Sequence, residues 1–503
     1  MAFADPTLLP ILTDGDPCLR AAALPVGEID REARAAVAAL AACLAAYRAA
    51  NGYGRAIAAP QLGIARRIVV LDLGAGPIAL IDPEITWRDP DTFLVWDDCF
   101  SLPGRLVRVR RHRSVSVAYR DLAGRRRCWE RLPPDLAELV QHELDHLDGV
   151  LMSDRADGAD AVRDMAQRAT LVDAARPRPR LSLDSIAAAA RAIDPVFRDS
   201  PQYDCEPLSA ALGCELRLKL ELLNPIRSFK ARGADWFLSR RFVRGERGAL
   251  VCASAGNFGQ ALAYACRRHG VALTVFAATQ ANPLKLERMR ALGAQVRLHG
   301  IDFDAAKAAA RAYAAAGGDT LVEDGLDAAI SEGAGSIAVE LLRDDPVVDV
   351  LVVPLGNGAL LNGMAHWCKA RSPATQVIGV VSRGAPAMAR SWRAGRGAAP
   401  VSSERVDTIA DGIAVRVPIA EAVADMHGVV DDVVEVDDAH LVAAMRLIHR
   451  HVGVVVEPAG AAGIAAVLAA PQVFHGRRVA SVLCGGNLTP QQIQTFISEP
   501  QGA

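Results

Sequence analysis

The sequence predicts two folded units of different class: an α+β unit over residues 1–156 and a two-lobed α/β unit over residues 184–503. Three observations predict this. Short β-type segments and turns fill the first part and lead into one late helix. From Leu183, short apolar runs alternate with Ala-rich helical ones, the pattern of a mostly parallel sheet covered on both faces. Between the two, residues 157–183 carry the breaks Asp157-Gly158-Ala159-Asp160 and Arg176-Pro177-Arg178-Pro179-Arg180, and Arg-Pro alternation favours an extended spacer. A chain of 503 residues also exceeds one ordinary core.

Composition narrows the function classes. Hydrophobic residues at 51% and charged residues at 23% describe a folded protein, not a disordered one. A net charge of −2 gives no global basic field, so nucleic acid is not an expected partner. Ten cysteines are scattered without a CxxC pair, which suits a reducing compartment. The N-terminus lacks a basic region followed by an apolar core, and no apolar run is expected to span a membrane. A cytoplasmic location with no membrane partner follows as the expectation.

In the first unit, a helix is predicted over residues 29–49, with an apolar stripe through Val37, Leu40, Cys43, Leu44 and Tyr47. Next come Gly52-Tyr53-Gly54-Arg55-Ala56-Ile57-Ala58-Ala59-Pro60-Gln61 and strands over 67–73, 78–85 and 107–119, with a hairpin turn at Asp121-Leu122-Ala123-Gly124. A helix is predicted over 134–151, containing His142-Glu143-Leu144-Asp145-His146. Histidines at i and i+4 share one helix face, so both can ligate one divalent cation, with Glu143 near its bound water. HExxH also occurs by chance in ordinary helices. A catalytic site needs a third ligand and an open position. Cys99, in Trp96-Asp97-Asp98-Cys99-Phe100-Ser101, is the candidate, and its thiolate would complete a Cys-His-His set for zinc or ferrous iron. A buried small hydrophobe is the other reading of Cys99.

These three motifs, in this order, resemble the peptide deformylase family over residues 8–155. The resemblance implies a metal (Fe2+ or Zn2+) held by Cys99, His142 and His146, with Glu143 as general acid/base. It also implies that Gln61 and the backbone N–H of Phe100 stabilise an oxyanion. The sequence departs from the family at Ala56 and Ile57 in the first motif and at Asp97-Asp98 and Phe100 in the second, positions that line the pocket.

In the second unit, β-type runs over 213–220, 249–252, 272–277, 295–298, 347–353, 376–381 and 479–483 are joined by helices. Helices are predicted after Lys230 and over 257–269, 283–292 and 304–315. The unit is long enough for two lobes with a ligand in the cleft between them. Asn224-Pro225-Ile226-Arg227-Ser228-Phe229-Lys230 places a lysine in the first turn of a helix, with Ser228 as the expected cap. A Schiff-base lysine needs a partly desolvated pocket and a rigid neighbourhood. Ser254-Ala255-Gly256-Asn257 at a strand–helix turn suits a carboxylate. Gly356-Asn357-Gly358-Ala359-Leu360, after an apolar strand, suits a phosphate. Cys484-Gly485-Gly486-Asn487 follows the last strand.

Together these runs resemble the threonine/serine dehydratase family, two-lobed fold type II pyridoxal-phosphate enzymes of tryptophan synthase β-like fold. Further matching runs are Lys219-Leu220-Glu221, Glu332-Gly333-Ala334-Gly335 before a helix, Ala410 to Val415, and Glu457-Pro458-Ala459-Gly460. The resemblance implies Lys230 as cofactor lysine and proton-transfer base. Phe229 is implied to stack near the ring, Asn257 to contact the ring hydroxyl, and Ser254 to Asn257 to hold the substrate carboxylate. Gly356, Asn357, Gly358, Ala359 and Leu360 are implied to bind the phosphate, with Cys484 facing the ring nitrogen. Asn357 and Ala359 stand where glycines are usual, Phe258 where His is common, and Cys484 where Ser or Thr is common. These departures leave elimination, racemisation and β-replacement open. The joint expectation is metal-dependent hydrolysis of an N-formyl group or a related small amide on an amino-acid-like compound, coupled to pyridoxal-dependent ammonia-lyase chemistry that gives a 2-oxo acid and ammonia, in a homodimer formed through the pyridoxal unit. The alternative is a pyridoxal enzyme whose deformylase-like part is independent, or silent and used for docking.

Overall fold

A computed structural model describes residues 9–172, 179–317, 319–344 and 348–498. The chain divides into two units, Met1–Arg178 and Pro179–Ala503. In the first, helix α1 (Arg31–Asn51) starts where the Asp30 side chain accepts the Ala33 N–H, and stops at Gly52, whose φ is 76°. Val37, Leu40, Cys43 and Leu44 are buried as expected. The length and hydropathy of α1 would suffice to cross a membrane, contrary to the expectation that no apolar run is long enough. Alanines supply much of that hydropathy, while one face packs into the apolar core of the unit.

The strands of this unit are β1 (Ala56–Ala58), β2 (Ile68–Asp72), β3 (Pro77–Arg88), β4 (Thr92–Asp98), β5 (Arg105–His112), β6 (Val115–Arg120) and β7 (Arg126–Trp129), then helix α2 (Pro134–Leu147) and β8 (Val162–Asp164). They form a five-stranded sheet of order β1-β2-β3-β6-β7 and a three-stranded sheet of order β4-β5-β8. The strand expected over 107–119 is therefore two strands in different sheets. Helix α2 ends four residues before the expected Leu151. Gly149 takes φ 73°, and a Cβ there would lie 2.5 Å from the Arg20 carbonyl oxygen, so the chain must turn away at that point.

The expected spacer over 157–183 is largely folded. Arg105↔Asp164, Leu106↔Arg163 and Val107↔Val162 pair antiparallel, and the Asp157 N–H donates to the Arg108 carbonyl at 2.9 Å. At its other end, Arg180 donates to the Gly325 carbonyl at 3.1 Å and Ser182 N–H to Glu332 at 3.1 Å, within the second unit. Arg176-Pro177-Arg178 lies outside the described residues.

The second unit contains β9 (Gln202–Asp204), β10 (Glu215–Leu220), β11 (Leu250–Ala253), β12 (Leu273–Ala277), β13 (Gln295–Leu298), β14 (Thr320–Leu321), β15 (Val350–Pro354), β16 (Gln376–Ser382), β17 (Asp432–Val436) and β18 (Arg478–Leu483). A six-stranded sheet of order β17-β16-β15-β18-β10-β9 and a four-stranded sheet of order β13-β12-β11-β14 make the two lobes. Every pairing is parallel except the edge pair β9–β10. The helices that matter for the cleft are α3 (Lys230–Val243), α4 (Asn257–His269), α5 (Pro283–Ala291), α6 (Ala328–Leu341), α7 (Ala359–Arg371) and α8 (Pro458–Ala469). Glu332-Gly333-Ala334-Gly335 lies inside α6, not before a helix. Its glycines permit close backbone approach: a Cβ at Gly333 would sit 2.6 Å from the Arg232 carbonyl, and one at Gly335 would sit 2.8 Å from the Gly363 carbonyl.

Behind Lys230, α3 is anchored by a buried ion cluster. Arg232, with 0% exposure, donates to both oxygens of Glu221 at 2.8 Å each and to both oxygens of Glu340 at 2.6 and 2.9 Å. The Lys219 ammonium adds a 2.6 Å bond to Glu340. Buried charges persist when they are paired and hydrogen-bonded in this way.

Candidate active sites

The first site is built where β4 delivers its last residues to the face of α2. Cys99 Sγ lies 3.2 Å from His146 Nε2, which lies 3.2 Å from His142 Nε2. All three ligand atoms fall within 4.8 Å of one another and all three residues are buried. Asp97 sits 2.9 Å from His142 Nδ1, which leaves Nε2 turned to the cluster. Burial opposes ionisation of Asp97, but His142 and Arg111 hold its carboxyl well below the usual range. Arg111 ties this layer together, donating to Asp97 at 3.1 Å and to Asp145 at 2.6 Å. A thiolate and two imidazole nitrogens at this spacing fit a divalent transition metal.

Glu143 follows His142 on α2. It is 4% exposed, its Oε2 has no hydrogen-bond partner among the described residues, and burial raises its carboxyl to about 7. A group so tuned can accept and return a proton near neutral pH. Gln61 is fixed at its carbonyl end, since Oε1 accepts the Ala58 N–H at 2.9 Å. Its Nε2 is thereby aimed at Cys99 Sγ, 3.7 Å away, and at Ser101 Oγ, 3.3 Å away. Phe100 carries its ring away into a stack on Tyr47, with centroids 3.9 Å apart.

The second site is a cleft of about 790 Å³ lined by Lys230, Ser254, Asn257, Gly356 and Cys484 among others. Lys230 opens α3, as expected, although the residue flanking the helix is Phe229. Ser228 Oγ accepts the Lys230 N–H at 3.4 Å. The lysine loop is stitched to the Cys484 loop: Phe229 N–H donates to the Cys484 carbonyl at 3.0 Å, and Gly486 N–H to the Arg227 carbonyl at 3.0 Å. Lys230 Nζ lies 4.7 Å from the Phe229 ring centroid. Ser254 Oγ accepts the N–H groups of Gly256 at 3.2 Å and Gly259 at 2.9 Å, which shapes the turn before α4. Gly358, with φ 93°, sits at the start of α7, where no side chain caps the helix. That bare N-terminus, in a turn where a Cβ on Gly356 would meet the Gly412 carbonyl at 2.6 Å, fits a phosphate group. Asn357, Ala359 and Leu360 complete the turn. Cys484 is buried and burial pushes its thiol up, so it stays neutral.

Asp324 and Lys285 had no sequence signal, and Glu457, Asn487 and Asp411 stood in quoted runs without a role. Asp324 Oδ2 pairs with Lys230 Nζ at 2.5 Å, while its Oδ1 is buried without a partner among the described residues. Glu457 Oε1 accepts from Asn257 Nδ2 at 2.7 Å, and Asn487 Nδ2 donates to Asn257 Oδ1 at 2.9 Å, so both ends of that amide are fixed. Burial raises Glu457 to about 7, against the pull of Lys285. Lys285 itself bridges to Asp411 at 2.5 Å.

Two open parallel lobes, a lysine at a helix start in the cleft and a bare helix N-terminus opposite define the class of fold type II pyridoxal-phosphate enzymes. The chain belongs to the family described as pyridoxal-phosphate dependent enzyme, which matches residues 193–485. Residues 8–161 match the polypeptide deformylase family. An L-threonine ammonia-lyase of Thermotoga maritima is 35% identical over 322 residues, covering 63% of this chain and 79% of that protein. Among solved structures, a T.th. threonine deaminase superposes with a TM-score of 0.57 at 33% identity, over 61% of this chain and 99% of that one. Maize serine racemase superposes with a TM-score of 0.58 at 26% identity, over 62% and 95%. The second unit is thus a threonine dehydratase-like, pyridoxal-phosphate-dependent enzyme.

Proposed function

We propose that the protein is a bifunctional amino-acid enzyme: a metal-dependent hydrolase that removes an N-formyl group, and an ammonia-lyase that acts on the freed amino acid. The observation that carries this reading is the pairing, in one chain, of a buried Cys-His-His cluster beside Glu143 with a lysine cleft that has its own carboxylate turn. The names of the relatives, threonine ammonia-lyase and threonine deaminase, favour a β-hydroxy amino acid at the second site.

Iron or zinc held by Cys99, His142 and His146 would supply an activated water. Glu143 would take a proton from the attacking water and return it to the leaving nitrogen as the formamide C–N bond breaks, releasing formate. Gln61 Nε2 and the Phe100 N–H donate to the oxygen on which negative charge develops. In the second unit, bound pyridoxal phosphate would supply an electron sink for the substrate α-carbon. The backbone of residues 356–360 and the start of α7 would hold its phosphate. Phe229, Asn257 and neutral Cys484 would hold the ring, by its face, its hydroxyl and its nitrogen respectively. The turn Ser254 to Asn257 binds the substrate carboxylate, and Lys230 Nζ takes the α-proton. The β-hydroxyl leaves as water, and the enamine so formed is hydrolysed to a 2-oxo acid and ammonia. A free amine is required before the second step, so deformylation comes first. The working form is a homodimer through the second unit, in the cytoplasm.

The test uses purified full-length protein. Cofactor absorbance in the visible range and 2-oxo acid from free β-hydroxy amino acids are expected, and both vanish in Lys230→Ala. Formate release from N-formyl amino acids is expected to vanish in Glu143→Ala. A protein with no cofactor absorbance contradicts the lyase assignment. Formate release unchanged by Glu143→Ala contradicts the hydrolase assignment.

A further inference from the structure

One charged pair beside the metal ligands is not used by the chemistry above. Arg55 stands directly before β1 and donates through Nη2 to Glu138 and through Nη1 to the Asp135 carbonyl at 3.1 Å. Glu138 lies four residues before His142 on α2, and His146 four after it, so all three share one helix face. The Arg55 side chain is 26% exposed and the Glu138 side chain behind it 4%. Charge from both reaches Glu143. Asp98, the acid on the Cys99 loop that also acts on Arg55, is itself engaged by Arg168 at 3.6 Å.

A buried carboxylate that orients a partly exposed guanidinium is costly as mere packing, because apolar residues of equal volume often serve stability as well. It is useful as an oriented donor group, since Nη1 and Nη2 each carry a second N–H beyond the ones given to Asp135 and Glu138, and arginine recognises carboxylates through paired N–H donors. One helical turn, about 5.4 Å, separates Glu138 from His142 along α2. The formyl carbon and the carboxylate carbon of an N-formyl α-amino acid are at most about 3.8 Å apart, and a carboxylate C–O bond plus a hydrogen bond of about 2.8 Å carries that reach past one helical turn. In a longer peptide the nearest free carboxylate would fall further off.

We propose that Arg55, braced by Glu138, is the anion anchor of the metal site and selects N-formyl amino acids with a free α-carboxylate over formylated peptides or amides. This rests on the hydrolase reading of the site. It gives the two units one substrate logic, because the product of the first carries the carboxylate that the Ser254 turn of the second requires.

The test compares N-formyl-L-serine with N-formyl-L-serinamide on the full-length protein. Binding is measured by calorimetry with the metal bound and after chelation, together with formate release. The acid is expected to bind more tightly than the amide in both metal states. In the double variant Arg55→Met/Glu138→Gln, which leaves no unpaired buried charge, the Kd of the acid is expected to rise about ten- to hundred-fold, the worth of a charged hydrogen bond. The amide Kd stays within about two-fold, at the edge of what a single neutral contact changes. Arg55→Lys is expected to fall between, keeping the charge without the fork. Equal affinity for acid and amide, with formate released from both, overturns the anchor and leaves the hydrolase reading standing. Neither compound bound nor hydrolysed overturns the hydrolase reading and the anchor with it.

Discussion

Gln61 is held at one end so that its other end can act. With Oε1 bonded to the Ala58 N–H, only Nε2 can face the cluster. Gln61→Leu should therefore slow formate release by about 10²–10³-fold, the usual effect of losing one oxyanion donor, with metal content unchanged on elemental analysis. Asp97→Asn should act the other way: the orientation of His142 suffers, and metal affinity should drop about 10–100-fold in a competition titration. At the second site, Asp324→Asn removes the carboxylate from the Lys230 amine and should lower lyase kcat/KM by roughly 10–100-fold, the scale of a charged hydrogen bond. The Cys99-His142-His146 cluster and Lys230 could be read from the chain because helical spacing and local motifs announce them. Asp324 could not, since it meets Lys230 across 94 residues and belongs to no periodic pattern. Arg55 sat in a quoted motif, yet its meaning depends on Glu138, 83 residues away.

At the scale of elements, α3 carries Lys230 and is locked to its surroundings by Arg232. Removing that guanidinium would leave Glu221 and Glu340 buried with too little positive charge. Arg232→Met should destabilise the second unit by about 3–5 kcal/mol, read as a lowered Tm. Burial opposes ionisation of Glu340, but Arg232 and Lys219 outweigh it and hold the carboxyl down from 4.5 to about 2. A carboxyl depressed on folding stabilises the native state above its unfolded pKa and loses that contribution as pH falls through the folded value. Tm of the second unit should thus decline from about pH 4.5 toward pH 2, more steeply than in a Glu340→Gln variant. The parallel strand Leu273–Ala277 was legible to within one residue because burial on both faces makes a continuous apolar run, and the helix Asn257–His269 was legible to the residue because Gly256 and Gly270 bound it. Strand β8 was not legible. Its three residues, Val162–Asp164, are strand only because β5 presents an edge to them, and the local Asp-Gly-Ala-Asp run reads as a break.

For the whole molecule, two chemical centres lie in separate units of one chain. Chelation should abolish formate release while leaving 2-oxo acid formation from free amino acids intact, and Lys230→Ala should do the reverse. The central claim is that the first centre feeds the second. The most direct measurement is a mass-spectrometric time course on full-length protein given an N-formyl β-hydroxy amino acid as sole substrate. Formate, ammonia and 2-oxo acid in equal amounts, with formate appearing first, is the predicted result. Formate without 2-oxo acid for every formylated amino acid tested, while the free amino acids are consumed, would contradict it.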